Sequence, residues 1–187
     1  MPDMSTTVTS ALALGERTFL RPYRHEDADE FTAAARASRE LHRPWLFPPE
    51  QPAAYSAYVG RLLAGADRAG FLVCARHDGR IAGFININNI VQGALRGGAL
   101  GYGAFAHAAG RGLMGEGLRL VMGQAFGPLG LHRLEAAVQP ANAASLALLR
   151  RAGFRREGFS PDYLFIDGAW RDHERWAITA EMVPDGG

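Results

Sequence analysis

The 187-residue chain contains no lysine: all 20 of its basic residues are arginine. It carries a single cysteine, Cys74, so no internal disulfide can form and no cysteine-based metal cluster is available. Cys74 lies in an apolar run and is expected in the core. No apolar stretch is long enough to cross a bilayer, and no secretory leader pattern shows. The formal net charge is only +1, so no strong field points to nucleic acid or to a membrane surface. There is no G-x-x-x-x-G-K-[ST] segment, no internal repeat, no low-complexity tract, and no metal-ligand pattern among the six histidines. What remains is 48% apolar and 21% charged, the balance of an ordinary globular domain with a full core. A cytoplasmic enzyme with no metal fits these exclusions. The small polar residues from Met1 onward suggest a loose segment over 1–15, followed by one domain over 16–182.

Periodicity gives an order of elements. Arg17 to Arg21 reads as a strand stopped by Pro22, and His25 to Leu41 as a helix with Ala28, Phe31, Ala35 and Leu41 on one face. The prolines of Arg43 to Pro49 force a loop, and a second helix runs from Pro52 to Ala66. Phe71 to Arg76 and Arg80 to Ile87 form a hairpin across Asp78-Gly79. A strand over Ala99 to Ala106 precedes a glycine turn and a helix over Leu118 to Phe126. Leu131 to Val138 is a strand, and Asn142 to Ala152 a helix closed by Gly153. Tyr163 to Ile166 and Trp170 to Ile178 form a last hairpin. This order predicts a mixed α/β layer fold in one domain.

The glycine turn is the strongest chemical signal. Gly110-Arg-Gly-Leu-Met-Gly-Glu-Gly117 places four glycines between a strand and a helix. Glycine permits positive φ and close approach of a ligand, and the first helical N–H groups and the helix dipole favour an anion. A merely flexible turn has the same composition. Gly101-Tyr-Gly103-Ala-Phe-Ala106 matches G-x-G-x-x-A, but it falls inside a strand with no βαβ unit around it, so it is set aside.

Four segments, in order, resemble the GNAT superfamily of acyl-CoA N-acyltransferases, most closely its RimJ/RimL type. They are Gly110 to Leu118, Leu131 to Val138, Asn142-Ala-Ala-Ser145 with Ala152-Gly153-Phe154, and Asp162 to His173. Leu20-Arg-Pro-Tyr23 and Arg43-Pro-Trp45 also fit, so the resemblance spans about Arg17 to Ile178. It implies a single-domain GNAT fold: a central, mostly antiparallel sheet with splayed middle strands, flanked by about four helices. It also implies acetyl transfer from acetyl-CoA to an amine. Backbone groups of Ala104, Phe105 and Ala106 would meet the pantetheine arm. Arg111, Gly112, Leu113, Met114, Gly115, Glu116 and Gly117 would hold the phosphates, with Asn142 and Ser145 nearby. Ala109 stands where the family usually carries Gln or Arg. The Glu base and Tyr acid of RimI-type relatives correspond here to Ala137 and Leu149.

A missing base suits an acceptor of low basicity, because at pH 7 about one α-amine in ten is neutral, against fewer than about one lysine side chain in a thousand. The acceptor expected is a protein N-terminus, with a small-molecule amine acetyl- or succinyltransferase and a non-catalytic CoA-binding module as alternatives; a homodimer is left open. Ser145 is the candidate acid or, equally, part of a helix cap. Asn142 could bond pantetheine or cap the same helix. Asp162 is a base candidate or a surface turn acid. Glu116 could face the substrate or merely complement the helix dipole. Trp45 could wall the acceptor pocket or plug the first helices. Asn86, interrupting an apolar strand, either faces solvent or points into the site. His107 is expected on the surface, and His173 is expected to hold its hairpin.

Overall fold

A computed structural model describes residues 11–183. Of the segment expected to be loose, residues 1–10 lie outside the described residues. Ala13–Leu14 form a short strand, β1, paired with β2 at Thr18–Arg21. The remaining strands are β3 (Ala69–Ala75), β4 (Ile81–Val91), β5 (Gly97–Ala104), β6 (Arg133–Val138), β7 (Arg155–Ile166) and β8 (Ala169–Thr179). They form one eight-stranded sheet in the order β1-β2-β3-β4-β5-β6-β8-β7. Every neighbouring pair is antiparallel except β5–β6, which is parallel. The expected mixed, mostly antiparallel sheet is therefore observed.

The helices are α1 (Ala28–Ala37), α2 (Arg39–His42), α3 (Pro52–Ala64), α4 (Leu113–Phe126) and α5 (Ala143–Arg151). Side chains alternate across a strand, so the sheet carries a core on each face. Leu20, Val73, Ile85, Ile87 and Leu134 pack with Leu118, Val121 and Met122 of α4. On the other face Phe19, Leu72, Cys74 and Phe84 pack with Phe31, Tyr55 and Val59 of α1 and α3. Ile81 joins this second set, although it has the odd number expected of the first. A register shift between Val73 and Cys74 turns the strand over at that point.

Several boundaries differ from the periodic reading, each for a physical reason. The helix expected over His25 to Leu41 is split. A 3-10 turn at His25–Asp27 precedes α1, and Ser38 separates α1 from α2. The Ser38 hydroxyl donates to the Ala34 carbonyl at 2.6 Å and accepts from the Ala106 N–H at 2.8 Å, so it competes with the helical ladder. Helix α4 begins at Leu113, five residues earlier than expected, because Gly115 and Gly117 lie inside it rather than in the turn. A Cβ on Gly117 would sit 2.7 Å from both Val73 methyls, so glycine there lets α4 rest directly on β3. Strand β7 spans twelve residues where only Tyr163 to Ile166 were expected; register shifts near Gly158 and at Ser160/Leu164 accommodate the glycine and Pro161.

One buried ion pair fastens the second core. Arg21 meets Asp27 through two bonds of 2.7 and 2.8 Å, and Asp27 also accepts the Arg24 N–H at 3.0 Å. Burial works against the Arg21 charge, but its bonds to Asp27 outweigh this and hold the guanidinium more firmly protonated than usual. Burial also pushes the adjoining Cys74 thiol up to about 12. Asp27→Asn leaves a buried guanidinium without its counter-charge, and we expect a loss of about 3–5 kcal/mol in thermal or denaturant unfolding. An unchanged melting temperature would show that the pair contributes nothing.

Candidate active site

The parallel β5–β6 pair lasts only three residues, with Gly97, Gly98 and Ala99 opposite Arg133, Leu134 and Glu135. Beyond Ala99 the two strands have no ladder contact. A cavity of about 800 Å³ lies where they part. Its walls include Tyr102, Gly103 and Ala104 of β5, Gly110 and Gly112 of the turn, Met114 and Gly115 of α4, and Asn142, Ser145 and Leu148 around α5. Gly110 and Gly112 have φ of +72° and +78°, the left-handed region that glycine enters without strain. The first bond of α4 to this turn runs from the Glu116 N–H to the Gly112 carbonyl. The N–H groups of Leu113, Met114 and Gly115 therefore remain for a ligand. Arg17, Arg119 and Arg151 also line this cavity, and among the described residues no carboxylate does. Glycine turn, open helix terminus and three guanidinium groups together make an anion site.

A second cavity, about 470 Å³, has Leu46, Phe47, Pro48, Pro49, Tyr58, Arg61, Asn86, Asn88 and Tyr102 in its wall, again with no carboxylate among the described residues. Tyr102 and Leu46 belong to both walls. The Tyr102 hydroxyl is 2.6 Å from Ser145 Oγ, so the two hydroxyls form a hydrogen-bonded pair at the junction. Burial pushes the Tyr102 hydroxyl up to about 12, with the Ser145 bond acting the other way. At neutral pH the pair can donate a proton and cannot act as a base.

The expected site residues divide. Asn142 caps α5, its Oδ1 accepting the Ser145 N–H at 3.2 Å, while its side chain also borders the larger cavity. The Ser145 hydroxyl caps nothing; it faces Tyr102. Ala104 lines the larger cavity, but its carbonyl already takes a bond from His42 Nε2 at 2.7 Å. Phe105 and Ala106 have their backbone N–H groups engaged within the fold. The Phe105 N–H is spent on the Ala82 carbonyl, its ring is fully buried, and the Ala106 N–H goes to Ser38.

In the turn, Arg111 accepts from an Arg17 guanidinium through its carbonyl at 2.7 Å, Leu113 is buried with Ala75, Ala82 and Ala108, and Gly117 packs on Val73. None of these three residues is in the lining of either cavity, which leaves Leu113 only its backbone N–H. Glu116 faces away from both cavities and ties α4 to β2. Its Oε1 accepts from the Arg17 N–H at 2.8 Å and from the Thr18 N–H and hydroxyl, each at 3.0 Å. Burial opposes its charge, but those bonds prevail and hold the carboxyl below its ordinary pKa.

Asp162 lies apart from both cavities. It lies exposed on the β7 bulge with φ +47°, its N–H donated to Asp172. Trp45 lines the larger cavity, while its neighbours Leu46 to Pro49 line the smaller one. Asn86 is buried in the smaller cavity wall, accepting from Tyr23 at 3.0 Å and donating to the Tyr58 hydroxyl. His173 Nδ1 bonds the Arg171 carbonyl at 2.8 Å within the hairpin. His107 is exposed.

Sequence reasoning missed Tyr102 and His42. Tyr102 lay in the set-aside G-x-G segment, where the tyrosine between two glycines was itself the signal. His42 closes α2 and is buried, and burial lowers its pKa, keeping the ring neutral. With Nε2 donating to Ala104, it binds the end of α2 to β5. Among the described residues no group of three or more His, Cys, Asp or Glu could hold a metal, and no helix is long and apolar enough to cross a membrane.

Known proteins resemble this chain in sequence and fold. The probable N-acetyltransferase YjcK of Bacillus subtilis (strain 168) is 39% identical over 115 residues, 62% of this chain and 62% of that protein. The ribosomal protein uS5-alanine N-acetyltransferase of Escherichia coli (strain K12) is 40% identical over 105 residues, 56% of this chain and 53% of that protein. These matches span about half to three-fifths of the relatives' lengths. The structure of Mycobacterium smegmatis RimJ in complex with CoA-disulfide superposes with a TM-score of 0.84 at 33% identity, covering 90% of this chain and 85% of that one. The acetyltransferase (GNAT) domain model matches residues 17–155, and the chain belongs to that family.

Proposed function

We propose that the protein transfers an acetyl group from acetyl-CoA to a weakly basic primary amine, the α-amine of a protein N-terminus in the manner of the RimJ type. One observation carries this: an arginine-lined cavity and a second cavity share Tyr102 and Leu46 in their walls, Tyr102 is bonded there to Ser145, and no described carboxylate lines either cavity. Acyl-CoA would thread the larger cavity. Its phosphates would meet the α4 N–H groups and the arginines, its pantetheine arm would lie along the unpaired edge of β5, and its thioester would end near Ser145. The amine would enter from the smaller cavity. Holding both reactants in line supplies much of the catalysis. The nitrogen attacks the thioester carbon, the C–S bond breaks, and the thiolate takes a proton from Ser145, which Tyr102 replenishes. The proton released by the new amide passes to water, which returns one to Tyr102, since no described carboxylate lines either cavity. The relatives named for ribosomal-protein-alanine acetylation support the α-amine acceptor.

Three outcomes follow from this assignment. Arg119→Glu and Arg151→Glu each place an anion in the wall of the larger cavity, and calorimetry should show CoA affinity falling by about tenfold or more, with the loss deepening at low salt. Unchanged affinity in both variants would remove CoA from this cavity.

Tyr102→Phe and Ser145→Ala should each lower the single-turnover rate by about a hundredfold while the CoA dissociation constant holds. Reduced stability with a normal rate would make the pair structural only.

The rate should climb with pH as the acceptor loses its proton and should show no falling limb up to about pH 9, because the acid form of Tyr102 is lost only near 12. A descending limb between about pH 8 and 10 would require a different acid, one with an ordinary pKa.

A further inference from the structure

The smaller cavity is polar in an asymmetric way. Arg61 of α3 reaches its wall and forms no hydrogen bond or ion pair with a described residue. The carboxylate that follows the Pro48-Pro49 wall, Glu50, is already consumed. It is bonded by Arg39 at 2.8 Å and faced by Arg43 at 3.8 Å, and its carbonyl takes Arg36 at 2.6 Å. A cationic ligand arriving here meets free positive charge and no free anion. Asn88 is half-buried with an amide uncommitted among the described residues, the right group for a peptide N–H or carbonyl. Close to Tyr102 the wall is Leu46, Phe84 and Gly101, which suits a small apolar side chain beside the reacting amine.

Resting on the assignment of the larger cavity to acyl-CoA, we propose that the smaller cavity selects a peptide N-terminus with a small first residue and a carboxylate among the next few, and turns away polyamines and lysine-bearing peptides. Arg61 is the specificity-determining residue. Its guanidinium would pair with that carboxylate at the cavity wall, while Asn88 holds the peptide bond between carboxylate and amine. A solvent-facing pair of this kind contributes modestly, but exchanging attraction for repulsion doubles the difference, so we expect about a tenfold preference.

Titration calorimetry on the CoA-loaded protein tests this without requiring turnover. The probes are matched peptides beginning Ala-Glu-Glu, Ala-Gln-Gln and Ala-Lys-Lys, and spermidine. The wild type should bind the Glu peptide about tenfold more tightly than the Lys peptide, with the Gln peptide between them and spermidine weakest. Arg61→Glu should reverse the order, and Arg61→Gln should flatten it. CoA affinity, measured first in each variant, reports that the variant is folded. Absence of CoA binding in the wild type overturns the donor assignment and this proposal together. CoA binding with no peptide bound, with the Lys peptide or spermidine equal or preferred, or with a ranking that Arg61→Glu leaves unmoved, overturns this proposal alone.

Discussion

The parting of β5 from β6 is the constraint on which the rest of the molecule depends. Two parallel strands share three residue pairs and then separate, leaving backbone that must find partners elsewhere. Parallel neighbours need a crossover, and α4 provides it, so its N-terminus must lie at the carboxyl end of β5. Helix α5 follows β6 and starts at the same end. The glycine turn, the open helix terminus and Ser145 therefore converge on one opening by topology, before any side chain is chosen. In open sheets of this kind ligands gather at such a point. The Tyr102–Ser145 bond spans the fork, one partner coming from each branch.

The opposite face of the sheet holds that fork in shape. Tyr23, Phe31, Tyr55, Phe84 and Phe105 form an aromatic cluster under α1 and α3, with ring centroids 4.8–6.4 Å apart. Two polar links join this cluster to the end of β5, His42 to the Ala104 carbonyl and Ser38 to the Ala106 N–H. The break in the first helix is what delivers both. Ser38, at the break between α1 and α2, thus links those helices to the end of β5.

Much of this was legible in the residues. The order of strands and helices followed from periodicity and turn chemistry, and Gly110 and Gly112 marked the turn because only glycine enters that backbone region freely. Less was legible wherever one residue type serves two purposes. Gly115 and Gly117 looked like turn residues, yet Gly117 is a packing residue against Val73, and no local pattern separates these uses. Glu116 sits where a helix dipole favours an acid, but its three bonds to Arg17 and Thr18 cross 98 or 99 residues of chain. Asp162 lies in a motif-bearing hairpin, and a bulge turns it outward. Tyr102 became meaningful only when β5 was seen to edge both cavities.

The all-arginine composition has a chemical consequence at this opening. An acyl thioester is an electrophile, and any amine beside it competes for the acyl group. The cation-bearing walls of both cavities carry guanidinium groups, which are planar, delocalised and poor nucleophiles. The only thiol in the chain is sealed in the second core at Cys74. A lysine in place of Arg17, Arg119 or Arg151 would bind phosphate as well, but it would also set a transferable nitrogen within reach of the donor. Arginine walls can thus attract an anion through groups that an acyl thioester does not readily acylate.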